Sequence, residues 1–217
     1  MTKRTRLWLI AVLALPFVGL VVLWESIVWN WYSAEPLQAI VIDATTRKPL
    51  PGVAVVAAWE LLGGDFHGTK VVGYVKVLEA TTDESGRFSF PAWGPRPGRG
   101  VIRDGAPLLI LFKPGYDYDI RANNGPTGQN AESPLRSRWN GRTIELKPFQ
   151  GTAEEYAGRM GRLGGEMWDI EQTKSIREIA AFLCVANRQS EDLAHRGVKG
   201  VFPASIWLRS KGIECNP

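Results

Sequence analysis

Apolar residues in this chain fall into four patterns. Residues Leu7–Trp24 form a nearly unbroken apolar run, with Pro16 and Gly19 the weak breakers. From Leu37 to about residue 148 the apolar residues come in short runs rich in β-branched side chains, separated by Gly/Pro/Asp-rich punctuation. This pattern predicts strands at Gln38–Asp43, Val53–Trp59, Val71–Thr82 (interrupted by Gly73), Arg87–Phe90, Leu108–Phe112 and Arg142–Leu146. Ala39–Ile42 and Val53–Ala58 are close to continuously apolar, which predicts strands covered on both faces or centrally placed. Beyond Phe149 the period changes. Ala153, Tyr156, Ala157, Met160 and Leu163 share one helical face, as do Ile176, Ile179, Ala180 and Leu183.

Punctuation sharpens the picture. Pro49, Pro51 and Gly52 predict a tight corner between the first two strands, because proline fixes φ and glycine permits positive φ. Gly86 in Thr81–Arg87 sits where a hairpin needs a left-handed residue. Glu60–Lys70 reads as a Gly-rich loop, Pro91–Pro107 as a long surface loop, and Tyr116–Arg138 as a second. Thr152 and Glu155 have the spacing of a capping box. Gly164-Gly165 is expected to end that helix, with a second helix over about Trp168–Asn187 and a third segment at Glu191–Arg196.

Three stretches, I-V-I-D-A-T-T-R-K-P-L-P-G-V-A-V, T-T-D-E-S-G-R-F-S-F and L-L-I-L-F-K-P-G-Y, together resemble the carboxypeptidase regulatory-like domain. The resemblance covers Leu37 to Lys147. It implies a mainly β, transthyretin-like (prealbumin-like) sandwich that does no chemistry of its own. The expected organisation is an amino-terminal anchor over residues 1–32, the sandwich over 37–148 and a helical tail over 150–217.

The amino terminus bears on location. Eighteen apolar residues in a helix span roughly 27 Å, close to the thickness of a bilayer's hydrocarbon core. Lys3, Arg4 and Arg6 precede the run, and Trp24, Trp29, Trp31 and Tyr32 stand at its end and beyond it. The expectation is a single-pass signal anchor in the inner (cytoplasmic) membrane, with the bilayer as one partner and the body in the periplasm or extracellular space. The alternative is a secreted protein, cleaved near Ser33-Ala34, where Trp31 and Tyr32 fit a signal-peptidase site poorly.

Charge excludes one class. The 217-residue chain carries a formal +4, but removing Lys3, Arg4 and Arg6 from its 26 basic residues leaves 23 against 22 acidic ones. A near-neutral body lacks the basic stripe of a nucleic-acid binder. The basic runs Arg96/Arg99/Arg103 and Arg136/Arg138/Arg142 read as solvated loop charge.

Candidate chemistry is sparse. His67 lies beside Asp65 and His195 near Glu191 and Asp192, without metal-ligand spacing. No G-x-S-x-G elbow is present. The hydroxyisourate hydrolases have several histidines and a Tyr-Arg-Gly-Ser ending, which this chain lacks, and the two-Tyr, two-His iron site of the intradiol dioxygenases needs two histidines together, whereas the two here are divided between body and tail. No catalytic residue, metal or cofactor is expected. The candidate binding residues are Trp93, Arg96 and Arg99 in the first long loop and Tyr116 and Tyr118 at the start of the second, the residue types of interface hot spots. Cys184 and Cys215 are the only cysteines. Outside the cytoplasm an even count points to a disulfide, and two separate thiols are the alternative. The functional expectation is a non-enzymatic binding or scaffold protein of the cell envelope, with an unidentified envelope protein or glycan as partner. A carbohydrate- or peptide-binding accessory module is the alternative, and a metal-dependent enzyme stands third.

Overall fold

A computed structural model describes residues 30–65, 68–123, 134–171, 174–201 and 204–215. The apolar run Leu7–Trp24, and with it the expected anchor, lies outside the described residues, as does His67. Among the described residues no helix is long and apolar enough to cross a membrane.

The described residues form ten strands and three α-helices, arranged as two main sheets, a two-stranded ribbon and a helical layer. The strands are β1 (Asn30–Ala34), β2 (Leu37–Asp43), β3 (Ala54–Asp65), β4 (Gly68–Thr81), β5 (Arg87–Phe90), β6 (Trp93–Gly98), β7 (Val101–Ile102), β8 (Gly105–Phe112), β9 (Asp119–Asn123) and β10 (Thr143–Leu146). The helices are α1 (Ala153–Glu171), a 3-10 segment (Lys174–Ile179), α2 (Ala180–His195) and α3 (Ser205–Ser210). One sheet runs β10-β2-β5, with β10 parallel to β2. The other runs β4-β3-β8-β9, with β7 on the outer part of β3, and β1 pairs with β6 in a separate ribbon.

Alternation along the strands generates two cores. Val53, Val55, Ala57 and Trp59 meet Leu37, Ala39, Val41, Phe88 and Phe90 between the sheets. Ala54, Val56, Ala58, Ile110 and Phe112 point the other way and meet the helices. The continuous apolar run of β3 therefore reflects burial on both faces. In β2 it does not: Ile40 and Ile42 are half-exposed, and the strand is central in a sheet whose outer face is open.

The helical layer attaches by polar contacts that sequence periodicity does not reveal. The capping box forms as expected, Thr152 N–H donating to Glu155 Oε2 at 2.8 Å and Glu155 N–H to Thr152 Oγ at 3.2 Å. Gly164-Gly165 does not end α1, which continues to Glu171. Each glycine costs a helix about 1 kcal/mol. Burying Met167 and Ile170, both nearly inaccessible, returns roughly 1.5–3 kcal/mol apiece, so packing overrides propensity. The described part of the helix expected over Trp168–Asn187 is instead divided among the end of α1, the 3-10 segment and α2, and Glu191–Arg196 continues α2 to His195. No side chain of its own segment caps α2. Glu79 on β4 does so, accepting the N–H groups of Ala181 (3.2 Å) and Phe182 (3.0 Å).

Three expected loops carry regular structure. Glu60–Lys70 is largely the extension of the β3–β4 hairpin, whose register runs on to Asp65 opposite Gly68. Pro91–Pro107 holds β6, β7 and the start of β8. Part of Tyr116–Arg138 is β9, and its last residue, Asn123, holds the returning segment at Arg136–Arg138 in place. The Asn123 amide donates to Ala106 O and Arg136 O at 2.9 Å, and its oxygen accepts from Arg138 N–H at 2.6 Å. Ser33 and Ala34, between the expected anchor and the expected sandwich, belong to β1, and β1 reaches back to Asn30 inside the span assigned to the anchor. Tyr32 and Ala34 are buried in the inter-sheet core.

Replacing Glu79 by Ala should cost about 1–2 kcal/mol, the usual worth of a helix cap, read as a lowered midpoint in urea unfolding. Glu79→Gln should lose less, because the amide oxygen still accepts. Equal losses in the two variants would mean that charge at the helix terminus dominates over the hydrogen bonds.

Candidate functional site

The five residues singled out by composition do not converge. Trp93 opens β6 opposite Ala34, whereas the Tyr116 hydroxyl reaches Asp43 at the far end of β2. The length of β2 separates them, six residue steps or roughly 20 Å. Trp93 is half-buried against the inter-sheet core, edge-on to Trp59 with ring centroids 5.2 Å apart. Its indole nitrogen and that of Trp59 are enclosed without a hydrogen-bond partner. Arg96 and Arg99 are exposed, on β6 and just after it.

Tyr116 and Tyr118 lie where the sandwich meets α1, and internal contacts occupy both. The Tyr116 hydroxyl donates to Asp43 Oδ2 at 2.8 Å. Burial and that neighbouring carboxylate push its ionisation up to about 12. Asp43 Oδ1 accepts the N–H groups of Thr46 (2.7 Å) and Thr45 (2.8 Å), closing the turn after β2. The Thr46 N–H, then the Tyr116 hydroxyl, hold the Asp43 carboxyl below its ordinary range. Tyr118 lies under the Arg159 guanidinium, 5.7 Å from the ring centre, and Arg159 pairs with Asp117 at 2.8 Å. Gly115 N–H donates to the Tyr156 hydroxyl at 2.9 Å. These contacts clamp the segment after β8 onto α1.

The tail offers a concave surface that composition did not mark. A cleft of about 240 Å³ opens between α1, α2 and α3. Ala157, Gly161 and Gly164 give α1 a shallow wall, and Met160, Met167, Phe182, Leu183, Trp207 and Leu208 supply apolar surface. A Cβ added at Gly161 or Gly164 would meet nothing within 4 Å. Asn187 is the buried polar group here. Its amide donates to Glu191 Oε1 at 3.0 Å and its oxygen accepts from Ala204 N–H at 2.7 Å, which ties the chain before α3 to α2. The cleft is apolar with one polar anchor, the character of a ligand or side-chain receptor. A glycine every third residue (158, 161, 164) was the available signal, because glycines cost a helix stability and open one of its faces.

Cys184 and Cys215 form a disulfide, with Cα atoms 5.2 Å apart. It closes α3 and the last described residues onto α2 beside the cleft. Asp65 ends β3. Among the described residues no group of three His, Cys, Asp or Glu side chains is placed to hold a metal ion.

Tyr116 should therefore be among the last tyrosines to ionise. Ultraviolet titration should show a component near pH 12 that disappears in Tyr116→Phe. The neutral phenol is the form the fold favours. Its stabilisation is complete below the ordinary tyrosine pKa of about 10 and fades as pH rises through 12. The ionised Asp43 acts at the other limit, stabilising above about pH 4 and less as pH falls below it.

Neither a protein-family model nor a curated protein sequence matches this chain. Several solved structures are similar over about half of it. A 3-chlorocatechol 1,2-dioxygenase from Rhodococcus opacus is 16% identical over 54% of this chain and 61% of its own, with a TM-score of 0.33. The pilus 2b backbone protein of group B streptococcus is 16% identical over 53% of this chain and 41% of its own, with a TM-score of 0.28. The C-terminal domain of the shaft pilin SpaA from Lactobacillus rhamnosus GG is 16% identical over 54% of this chain and 98% of its own, with a TM-score of 0.26. The matched region thus spans less than two thirds of the dioxygenase and of the pilus backbone protein. Likenesses at this level carry no chemistry from those proteins to this one.

Proposed function

We propose that this protein is a non-enzymatic, membrane-anchored extracytoplasmic protein of the cell envelope, which binds or scaffolds a partner through the cleft of its helical layer. The body is read as a sandwich of carboxypeptidase regulatory-like type. The observation that carries the proposal is the Cys184–Cys215 disulfide beside the cleft, because structural disulfides form and persist in oxidising compartments. The basic, then apolar, amino-terminal sequence agrees with it. Retention of the anchor is supported by β1: cleavage after Ala34 would remove Tyr32 and Ala34, 8% and 4% exposed, from the core. The cleft is favoured over the two long loops because Tyr116 and Tyr118 are engaged by the protein itself and Trp93 is packed on Trp59.

Protein denatured without reductant should expose no reactive thiol to a maleimide, and two after reduction. Replacing Cys184 with Ser should cost on the order of 3–4 kcal/mol, the chain-entropy value for closing about 31 residues. Two reactive thiols before reduction would remove the main support for an extracytoplasmic location.

Crosslinking in intact cells, with mass spectrometry of the products, tests the partner. Gly161→Leu fills the cleft from a position where added carbon meets open space. It should leave the unfolding midpoint near or above that of the parent, since leucine is the better helix former, and remove the crosslinked partner. A partner retained by Gly161→Leu would move the binding surface elsewhere.

A further inference from the structure

One end of the body gathers apolar and cationic surface next to the point where the chain enters it. β3 and β4 extend past the sandwich, with Leu62 paired to Val71 on one side and to Val101 of β7 on the other. β1 begins beside this extension. Asn30 is opposite Gly98, and its amide donates to Gly100 O at 3.0 Å, as does the Tyr32 hydroxyl at 2.8 Å. Val72 lies over the same spot: a Cβ at Gly100 would come within 3.2 Å of its Cγ2. Since β1 is antiparallel to β6, and β6 runs toward β7, the chain before Asn30 departs at the end to which the hairpin extends.

The exposed residues at this end are unusual for the molecule. Four large hydrophobic side chains are strongly exposed among the described residues. Three of them, Trp31 (63%), Val72 (47%) and Val101 (40%), are here. Apolar exposure gathered in one place marks an interaction surface, whereas scattered single residues do not. Arg96 and Arg99 are exposed on and after β6. Of the carboxylates, Glu60 is held by Arg103 at 2.6 Å, Asp104 is exposed and Asp65 ends β3 at the same tip. The cationic excess is small, so apolar contact must carry most of any association.

The tether identifies the occupant. Only six residue steps separate Trp24, the last of the apolar run, from Asn30. Fully extended they reach about 20 Å, little more than the headgroup layer together with its adjacent water. From this we infer that the end formed by Trp31, Val72, Val101, Arg96 and Arg99 rests on the lipid headgroup layer of the membrane that holds the chain. Trp31 occupies the interfacial zone that tryptophan favours. The two valines enter the outer edge of the apolar region, and the cations meet lipid phosphates. The body is thereby held in one orientation, with the Asp83–Gly86 turn at the other end of β4 directed away from the bilayer. The inference rests on the anchored reading above and adds an orientation to it.

The full-length protein reconstituted into vesicles of phosphatidylethanolamine and phosphatidylglycerol tests it. An environment-sensitive fluorophore is placed at Val72→Cys, Val101→Cys or, as the distal control, Glu84→Cys, each an exposed position that tolerates a small side chain. Probes at 72 and 101 should emit at shorter wavelength and be quenched by spin-labelled lipid, and the probe at 84 should do neither. Arg96→Glu with Arg99→Glu should reduce the shift while leaving the protein membrane-bound. Probes at 72 and 101 that report water as fully as the probe at 84 would overturn the inference. Alkaline carbonate extraction of the same vesicles reports the anchor separately. Resistance with wet probes ends the inference and leaves the anchor standing. Extraction ends the anchor, and the probe response to added vesicles then decides the lipid contact by itself.

Discussion

The central segments of β3 and β8 bury both of their faces, and the other layers of the protein depend on that double burial. Residues Val53–Ala58 and Leu108–Phe112 alternate between a core shared with β2, β5 and β10 and a core shared with the helices. Neither outer layer would have a closed apolar interior without this shared sheet. A three-stranded sheet with an open outer face cannot enclose a core alone, and α1 and α2 would expose Tyr156, Met160, Leu163, Met167 and Phe182. The helices are thus the second cover of the sheet.

This dependence explains where the polar residues go. A helix laid on a sheet leaves its terminal N–H groups to be satisfied, and Glu79 from the sheet satisfies those of α2. A segment leaving the sheet at Phe112 must be turned onto α1, and Tyr116, Asp117, Tyr118 and Arg159 hold the turn in pairs. The hot-spot composition of that segment is real, but its partners are the protein's own: Asp43 of β2 for Tyr116, and Arg159 of α1 for Asp117 and Tyr118. Trp93 likewise covers the edge of the inter-sheet core. Aromatic and arginine residues stabilise a seam within one chain by the same physics that stabilises an interface between two.

The surface still open to a partner lies elsewhere, in two places of different character. The cleft in the helical layer is apolar and walled on one side by a helix that tolerates glycine because packing on its other side holds it together. The end that carries Asn30 is small, mildly cationic and tied by a short segment to the apolar amino-terminal run. On our reading one contacts a partner and the other lipid, and the sheet between them fixes their relative orientation.

Much of the sandwich was legible in the residues themselves. The strands at Gln38–Asp43, Val53–Trp59, Arg87–Phe90, Leu108–Phe112 and Arg142–Leu146 follow from short runs of β-branched, aromatic or other apolar residues between turn residues. Gly86 is a clear instance: at φ +71° a Cβ would stand 2.3 Å from Val41 O, so only glycine suits the turn. The Thr152–Glu155 cap was an equally local signal, whereas the cysteine pair, 31 residues apart, was suggested by its even count. Tertiary structure decided the rest, where a distant contact outweighed local preference. Packing of Met167 and Ile170 carried α1 through Gly164-Gly165, and cross-strand pairing turned the Gly-rich stretch after Glu60 into a hairpin. The candidate site was least legible. Whether an exposed-looking tyrosine is available or already engaged depends on Asp43 and Arg159, 73 and 41 residues away in sequence, and a cleft between three helices has no period along the chain. Local sequence determined conformation where the deciding contacts lie within a few residues; tertiary structure decided availability, because that is a property of neighbours distant in the chain.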